Sequence, residues 1–364
     1  MLKDRRMLLV TSNFPPEVGG PAKFTSDFAS WLEKEGLDYT VLTTTSEDNN
    51  LVSRSNKVFY ISRKQNILKR MIQTSVAMWK LGKDKTALVN GLFYESLFAH
   101  FFFKFKFIAK VPSDIVWDRA RNSGKTDLNV DQFQGREPGL YKVQRWLFTR
   151  SLSAAHMVIV PSEHLGGLVS AWGIAKEKIT LIRNSQTIPI NKSEFHPTVD
   201  VISVGRLISL KGNMELISVC SKLGYSLRIV GEGPEETKLR ELALKLGGRV
   251  EFLGSLSSSE VLLQVNLSRV FVLNSSHEGS PNALIEAMAQ GAVCVVRENP
   301  GTRELITDLK TGILVGDTRA LAEALEMALT DTNLRNVVGN GAFSFAKDEL
   351  NQSVNFRRIL DICE

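Results

Sequence analysis

The stretch Asn274-Ser-Ser-His277-Glu278-Gly279-Ser280-Pro281-Asn282-Ala283-Leu-Ile-Glu286-Ala-Met-Ala-Gln-Gly291 reads as a strand end, a loop and a helix. The preceding Arg269-Val-Phe-Val-Leu273 is apolar and β-branched enough for a buried strand. Ala283 to Gln290 carries strong helix formers, and Gly291 stops the helix. Between them, small residues would leave backbone amides unpaired at a helix N-terminus, a place that favours phosphate or sugar oxygens. Glu278 opens the loop and Glu286 follows eight residues later, so both carboxylates can face one cleft at the carboxyl end of a parallel sheet. Ribose and sugar hydroxyls would find acceptors there. From these residues alone a second reading stands, in which Glu278 caps the helix and Glu286 lies on a solvated face.

Outward from this stretch the chain keeps the same grammar. In the second half, Val201-Ile-Ser-Val-Gly205-Arg206-Leu-Ile-Ser-Leu-Lys211-Gly212 ends a strand on a turn and starts a helix. Arg206, as a fork, and Lys211, as a point charge, can converge on a diphosphate. Leu227 to Val230, Val250 to Gly254, Ala292 to Val296 and Gly312 to Val315 supply further strands, and helices fill Thr318 to the end. In the first half, Leu8 to Ser12 is a strand, Asn13 to Pro21 a loop with two glycines, and Ala22 to Lys34 a helix. Strands at Tyr39 to Thr44, Val58 to Ser62, Ala87 to Asn90, Lys106 to Val111, Met157 to Ser162 and Ile179 to Asn184 alternate with helical stretches. Such alternation means βαβ units and a mostly parallel sheet.

A length of 364 residues exceeds one ordinary core, and 43% hydrophobic with 23% charged residues is the composition of a folded globular chain. The apolar run Met7 to Val10 is too brief for a signal peptide, and no segment has the uncharged length of a membrane span, so the expected location is the cytoplasm. Cys220, Cys294 and Cys363 are scattered and the five histidines do not cluster, so no disulfide framework and no metal site is expected. Residues 1–185 hold 27 Lys and Arg against 17 Asp and Glu, a net of +10, while the remainder nets −4. A basic half of this kind suggests an acidic partner.

His-Glu-Gly-x-Pro-x-x-x-x-Glu-Ala-x-Ala-x-Gly, read here from His277 to Gly291, resembles the donor-sugar motif of family 4 of the retaining, nucleotide-sugar-dependent glycosyltransferases, the glycosyl transferases group 1. Gly205-Arg206-Leu-x-x-x-Lys211-Gly212 matches the same family at identical spacing, and Phe-Pro-Pro-Glu-x-Gly19-Gly20 fits its first loop. The resemblance spans nearly the whole chain, with motifs in family order. It implies the GT-B fold, two Rossmann-like α/β domains facing each other across a cleft. Residues 1–185 would be the acceptor domain, completed by a C-terminal helix 344–364, and residues 186–343 the nucleotide-sugar domain. It further implies transfer of a sugar to an acceptor hydroxyl with retention of anomeric configuration and without a cofactor or metal. Glu278 would bind the donor sugar and Glu286 the ribose. Arg206, Lys211 and the loop of Gly279, Ser280, Pro281, Asn282 and Ala283, through such amides as it has free, would meet the diphosphate, and Phe252 and Leu253 the base. Gly19 and Gly20 would let the backbone approach the sugar. Asp114, with Ser113, Trp117 and Asp118, stands where relatives carry a histidine, so it is the candidate there; a plain helix cap is the alternative.

By the same resemblance the donor is a UDP- or GDP-sugar and the acceptor a glycan or lipid-linked glycan of bacterial surface polysaccharide, with no nucleic acid partner. Lys64 to Lys85 is a basic amphipathic segment, and Phe101 to Lys110 sets lysines among aromatics. These either lie on the inner face of an anionic membrane, through Lys64, Lys69, Arg70 and Lys80, or are sheet-packing helix and core strand. A GT-B phosphorylase, a nucleotide-sugar epimerase, a two-carboxylate hydrolase and a non-catalytic nucleotide-sugar scaffold stay open beside the transferase.

Overall fold

The computed structural model describes residues 6–17, 19–46, 52–55 and 57–363. The basic start Met1 to Arg5, Val18 of the first loop, and Glu364 at the end of the expected last helix lie outside the described residues. The chain forms two compact units, the first running to Ile182 and resuming at Phe356, the second being Arg183–Asn355.

Unit 1 is built on eight strands: β1 (Arg6–Thr11), β2 (Asp38–Thr45), β3 (Val52–Ser55), β4 (Val58–Ser62), β5 (Thr86–Asn90), β6 (Ile108–Lys110), β7 (Val158–Val160) and β8 (Ile179–Leu181). Their order is β3-β4-β2-β1-β5-β6-β7-β8, parallel throughout except for β3, which pairs antiparallel with β4. The central β1 reads Arg-Met-Leu-Leu-Val-Thr, an unbroken apolar run, because both faces of a parallel sheet are covered. Leu8 and Val10 face one core with Met78, Val89 and Phe107; Met7 and Leu9 face the other with Phe28 and Leu32. The chain leaves β1 toward β2 and returns to β5 on its other side, so strand order reverses between β1 and β5.

Unit 2 repeats this plan with β9 (Val199–Val204), β10 (Leu227–Val230), β11 (Val250–Gly254), β12 (Ser268–Leu273), β13 (Cys294–Arg297) and β14 (Ile313–Val315). All are parallel, in the order β11-β10-β9-β12-β13-β14, and the reversal lies between β9 and β12. Val201, Val270 and Val295 pack on helices Asn213–Leu223 and Thr318–Thr330, while Ile202, Phe271 and Val296 pack on helix Asn282–Gln290.

Three expectations are corrected. The antiparallel edge strand β3 was not expected from the alternation. Phe101 to Phe103 are not strand: they end helix Phe93–Phe103, which closes on Lys104 in the left-handed region, and only Phe105 and Phe107 reach the core. The C-terminal segment is not one helix from Ser344. Helix Thr332–Glu349 stops, Leu350 is buried, the Asn351 side chain accepts from the amides of Ser353 and Val354, and helix Gln352–Ile362 begins. From Phe356 on, that helix belongs to unit 1, where Phe356, Ile359 and Leu360 join the core of Phe28 and Trp31.

Candidate functional site

In unit 2 the loops after β9, β10 and β12 meet at the carboxyl end of the sheet, where the strand order reverses and where open α/β sheets bind ligands. They meet backbone to backbone. Gly212, at φ +64°, has no room for a side chain, because a Cβ would stand 2.4 Å from the Asn274 carbonyl. Gly231, at φ +128°, would place one 2.1 Å from the Gly205 carbonyl. The Asn274 amide donates to Gly212 O at 3.0 Å and to Glu215 Oε2 at 3.2 Å, and Arg297 closes on the same Glu215 oxygen at 2.5 Å. Burial opposes ionisation of Glu215, but these hydrogen bonds outweigh it and hold its carboxyl below the ordinary range. On the next loop, Ser276 N donates to Leu210 O at 2.8 Å, and Asn299 Nδ2 to Ser275 O at 3.0 Å.

This bracing places the charged pair. Lys211 ends the short turn Ser209–Lys211, and its Nζ donates to Glu278 Oε1 at 2.5 Å, with the two side chains 23% and 11% exposed. An ammonium has three donors, so the pair leaves capacity for a phosphate oxygen. Arg206 is exposed beside them at the end of β9 and has no side-chain partner among the described residues. Helix Asn282–Gln290 starts at Pro281 with no side-chain cap, leaving its first-turn amides for a ligand. Asn184 braces that start by donating to Asn282 Oδ1 at 3.1 Å. Glu286 is buried, at 9% exposure, in the second turn of the helix. The second reading of the opening stretch therefore fails on both residues: Glu278 is paired with Lys211 and does not cap, and Glu286 is not on a solvated face.

The other expected residues divide between the two units. Phe252 packs with the core on one face of β11, its ring under the Arg240 guanidinium at 4.5 Å, and Leu253 turns to the opposite core. Gly19 and Gly20 are in unit 1, at the N-terminus of helix Gly20–Lys34. Gly20 has nothing within 4 Å of a notional Cβ, and Gly19 would crowd the Asn13 side chain. Asp114, also in unit 1, is a correction. Its carboxylate accepts from the amides of Val116 and Trp117 and from Gln134, is ion-paired to Arg145 at 2.5 Å, and has no exposed surface. Arg145 in turn holds Glu137 at 3.1 Å and stacks on Trp172 at 4.2 Å. Oδ1 of Asp114 closes helix Ile115–Asn122 and Oδ2 is taken by Gln134 and Arg145, so the capping reading is the one the structure supports. Among the described residues no three His, Cys, Asp or Glu side chains assemble as metal ligands. Sequence reasoning missed Glu215, Asn274 and Arg297 as the braces of the site. The spacing of Glu215, three residues after the glycine that follows Lys211, was the available signal.

The sequence model of the family described as glycosyl transferases group 1 matches residues 185–345. The chain is 32% identical over 172 residues to the lipopolysaccharide core biosynthesis glycosyltransferase LpsE of Rhizobium meliloti (strain 1021), covering 44% of this chain and 50% of that one. It is also 32% identical over 166 residues to a Campylobacter jejuni α-1,4-N-acetyl-D-galactosaminyltransferase named for a diphospho-undecaprenol-linked acceptor, covering 43% and 45%. These matches span about half the length of the curated relatives. The solved structure of HepE of Anabaena in complex with UDP and glucose superposes with a TM-score of 0.77 at 16% identity, covering 98% of this chain and 99% of that one, which identifies the fold as GT-B. Residues 185–345, which make up nearly all of unit 2, thus match the model of the glycosyl transferases group 1.

Proposed function

We propose that this chain moves a sugar from a UDP- or GDP-sugar to an acceptor hydroxyl, with the anomeric configuration retained. The observation that carries the reading is the Lys211–Glu278 pair, held beside the uncapped start of helix Asn282–Gln290 at the strand-order reversal of unit 2. In the reaction the bond between the anomeric carbon and the diphosphate oxygen breaks, and the acceptor oxygen bonds to that carbon on the same face. The acceptor's proton passes to the departing phosphate. Negative charge grows on the diphosphate, and in this reading Arg206, Lys211 and the amides of Gly279, Ser280, Asn282 and Ala283 meet it without reorganising. Glu278 would take a sugar hydroxyl while keeping Lys211 in register, and Glu286 the ribose hydroxyls. No step requires a divalent metal.

The acceptor in this reading is a lipid-linked glycan of a bacterial surface polysaccharide. The names of LpsE and of the Campylobacter enzyme support it, as does the surface of unit 1. Helix Ile67–Leu81 exposes Ile67, Leu68, Ile72 and Trp79, helix Phe93–Phe103 exposes Phe101 and Phe102, and helix Leu140–Ala154 exposes Leu140, Val143 and Trp146. The first two helices pack together, as do the last two, and Lys64, Lys69, Lys80, Lys104 and Lys142 are exposed on or beside them. Apolar side chains flanked by cations suit an anionic bilayer, each cation near the surface adding about 1 kcal/mol. No described helix is long and apolar enough to cross a membrane.

Thermal unfolding with UDP-, GDP- and ADP-sugars tests the donor half. A ligand at about a hundred times its Kd stabilises by roughly 2.7 kcal/mol, and no stabilisation by any of the three rejects the reading. Flotation with anionic liposomes at low salt tests the surface; retention unchanged by Phe101→Ser with Lys69→Gln and Lys80→Gln removes it.

A further inference from the structure

At the carboxyl ends of β1, β2, β5 and β6, unit 1 holds a pocket of about 460 Å³ lined by Ser12, Thr44, Asn90 and Pro112 from the strand ends and by Arg63, Arg70 and Arg119. It lies at the reversal between β1 and β5, the place in unit 1 that corresponds to the site in unit 2. Three guanidinium groups face one carboxylate, Glu95, which is buried. Arg63 is partly engaged with Glu17, and Arg119 donates to the Tyr94 hydroxyl at 3.2 Å and to Gln144 at 3.4 Å.

Two buried polar atoms on the lining residues have no hydrogen-bond partner: Nε of Arg70, a donor, and Oδ1 of Asn90, an acceptor. Asn90 is 2% exposed, and its amide nitrogen reaches Pro21 O and Thr25 Oγ1 at 3.4 Å each. Buried groups are rarely left unpaired, because each orphan costs its desolvation. An orphan cationic donor and an orphan neutral acceptor in one pocket ask for a ligand carrying both an anion and a hydroxyl. Helix Phe93–Phe103 begins at the same wall without a side-chain cap, and its first-turn amides add to the preference for an anion.

We propose that this pocket binds a phosphate ester of a sugar, with the phosphate on Arg70 and Arg119 and a sugar hydroxyl on Asn90 Oδ1. The proposal deepens the preceding reading and rests on it: the ester is the acceptor's, so a phosphate stands close to the hydroxyl that is glycosylated. The phosphate can be lipid-borne or free, and the chemistry at the arginines is the same in both.

Calorimetric titration of the full chain with inorganic pyrophosphate, glucose 1-phosphate, glucose and farnesyl diphosphate tests it. Glucose 1-phosphate and pyrophosphate are expected to bind at least tenfold more tightly than glucose. Arg70→Gln and Arg119→Gln are each expected to weaken them tenfold or more, whereas Lys238→Gln, exposed on helix Glu236–Leu246 of unit 2, leaves them within twofold. Farnesyl diphosphate binding tenfold more tightly than pyrophosphate identifies a lipid-borne ester, and equal binding a free one. Phosphate probes that bind no better than glucose, or whose affinity survives Arg119→Gln, overturn the proposal. Arg119 is exposed, so its replacement serves as the arm that does not depend on packing. UDP- and GDP-sugar affinity in the Arg119→Gln chain separates the two readings: retained donor binding with lost phosphate binding supports this pocket, and absent donor binding in the unaltered chain fails the transferase reading alone.

Discussion

Units 1 and 2 share one strand order around their reversal points, yet they finish their carboxyl ends with different balances of backbone and side chain. Unit 2 closes its rim with backbone: Gly212 and Gly231 bring loops within a Cβ's reach of each other, and Lys211, Glu278, Asn274, Glu215 and Arg297 are all paired. Unit 1 has one such approach at its rim, Gly91 at φ +132°, where a Cβ would stand 2.8 Å from Ser12 N, and otherwise lines the rim with side chains, three of them arginines, with Asn90 and Arg70 incompletely paired. The same scaffold thus carries a preformed site suited to a ligand part that never varies and a side-chain site whose specificity can change by substitution. A rigid backbone site avoids ordering costs on binding, whereas a side-chain site is adjustable.

The sharpest way to break this contrast is at a place where unit 1 is as tightly paired as unit 2. Asp114→Ala removes the cap of helix Ile115–Asn122 and takes from buried Arg145 one of its two carboxylates, leaving it Glu137, and urea unfolding is expected to register a loss of about 3–5 kcal/mol. A loss under about 1 kcal/mol would mean that the triad is not what holds helix Ile115–Asn122. Next, Gly231→Ala forces a Cβ into the Gly205 carbonyl at a φ that L residues rarely adopt, with an expected cost of about 3 kcal/mol. Gly20→Ala, with open space around it, should stay within about 0.5 kcal/mol, and similar losses for the two would erase the backbone-built character of unit 2.

A third test uses pH. Burial, together with the charge of Asp114 and against a hydrogen bond from Ser113, pushes the Asp118 carboxyl up to about 6. A carboxyl whose folded value is raised stabilises the fold below its unfolded value near 3.8 and loses that contribution as pH rises through about 6. Stability should therefore fall by on the order of 2 kcal/mol between pH 4 and 7, and Asp118→Asn should flatten that fall in denaturant titrations at each pH. The last test is on binding. Glu286→Ala removes a buried acceptor and should weaken nucleotide-sugar affinity by about 1.5–3 kcal/mol by calorimetry while leaving unit 1's phosphate probes unchanged.

What could be read from the sequence follows the same division. The site of unit 2 lies in two short runs, Gly205 to Gly212 and Asn274 to Glu286, where local spacing sets both loop and charge, so Arg206, Lys211, Glu278 and Glu286 could be picked out directly. Unit 1's pocket could not. Arg63 and Arg70 come from the connection between β4 and β5, Asn90 from the end of β5 and Arg119 from the connection after β6, and the order of these strands in the sheet brings them together. Arg70 shows the difficulty: among Lys64, Lys69 and Lys80 it reads as one more cation of an amphipathic face, but its Nε is buried in the pocket. Phe101 to Phe103 carry a strand's composition, and tertiary context made them the end of a helix. Asp114 could be read as cap or catalyst, and the deciding partner, Arg145, lies 31 residues away.

The return of helix Gln352–Ile362 also fixes an order of assembly. Phe356 seats its ring against Phe24, Phe28 and Trp31 at 5.0–5.9 Å, and Arg357 covers Trp31 and pairs with Glu35. The half of the chain synthesised first therefore waits with part of its apolar interior uncovered while all of Arg183–Asn355 emerges from the ribosome. The second unit can close while translation continues; the first is sealed only by its last residues.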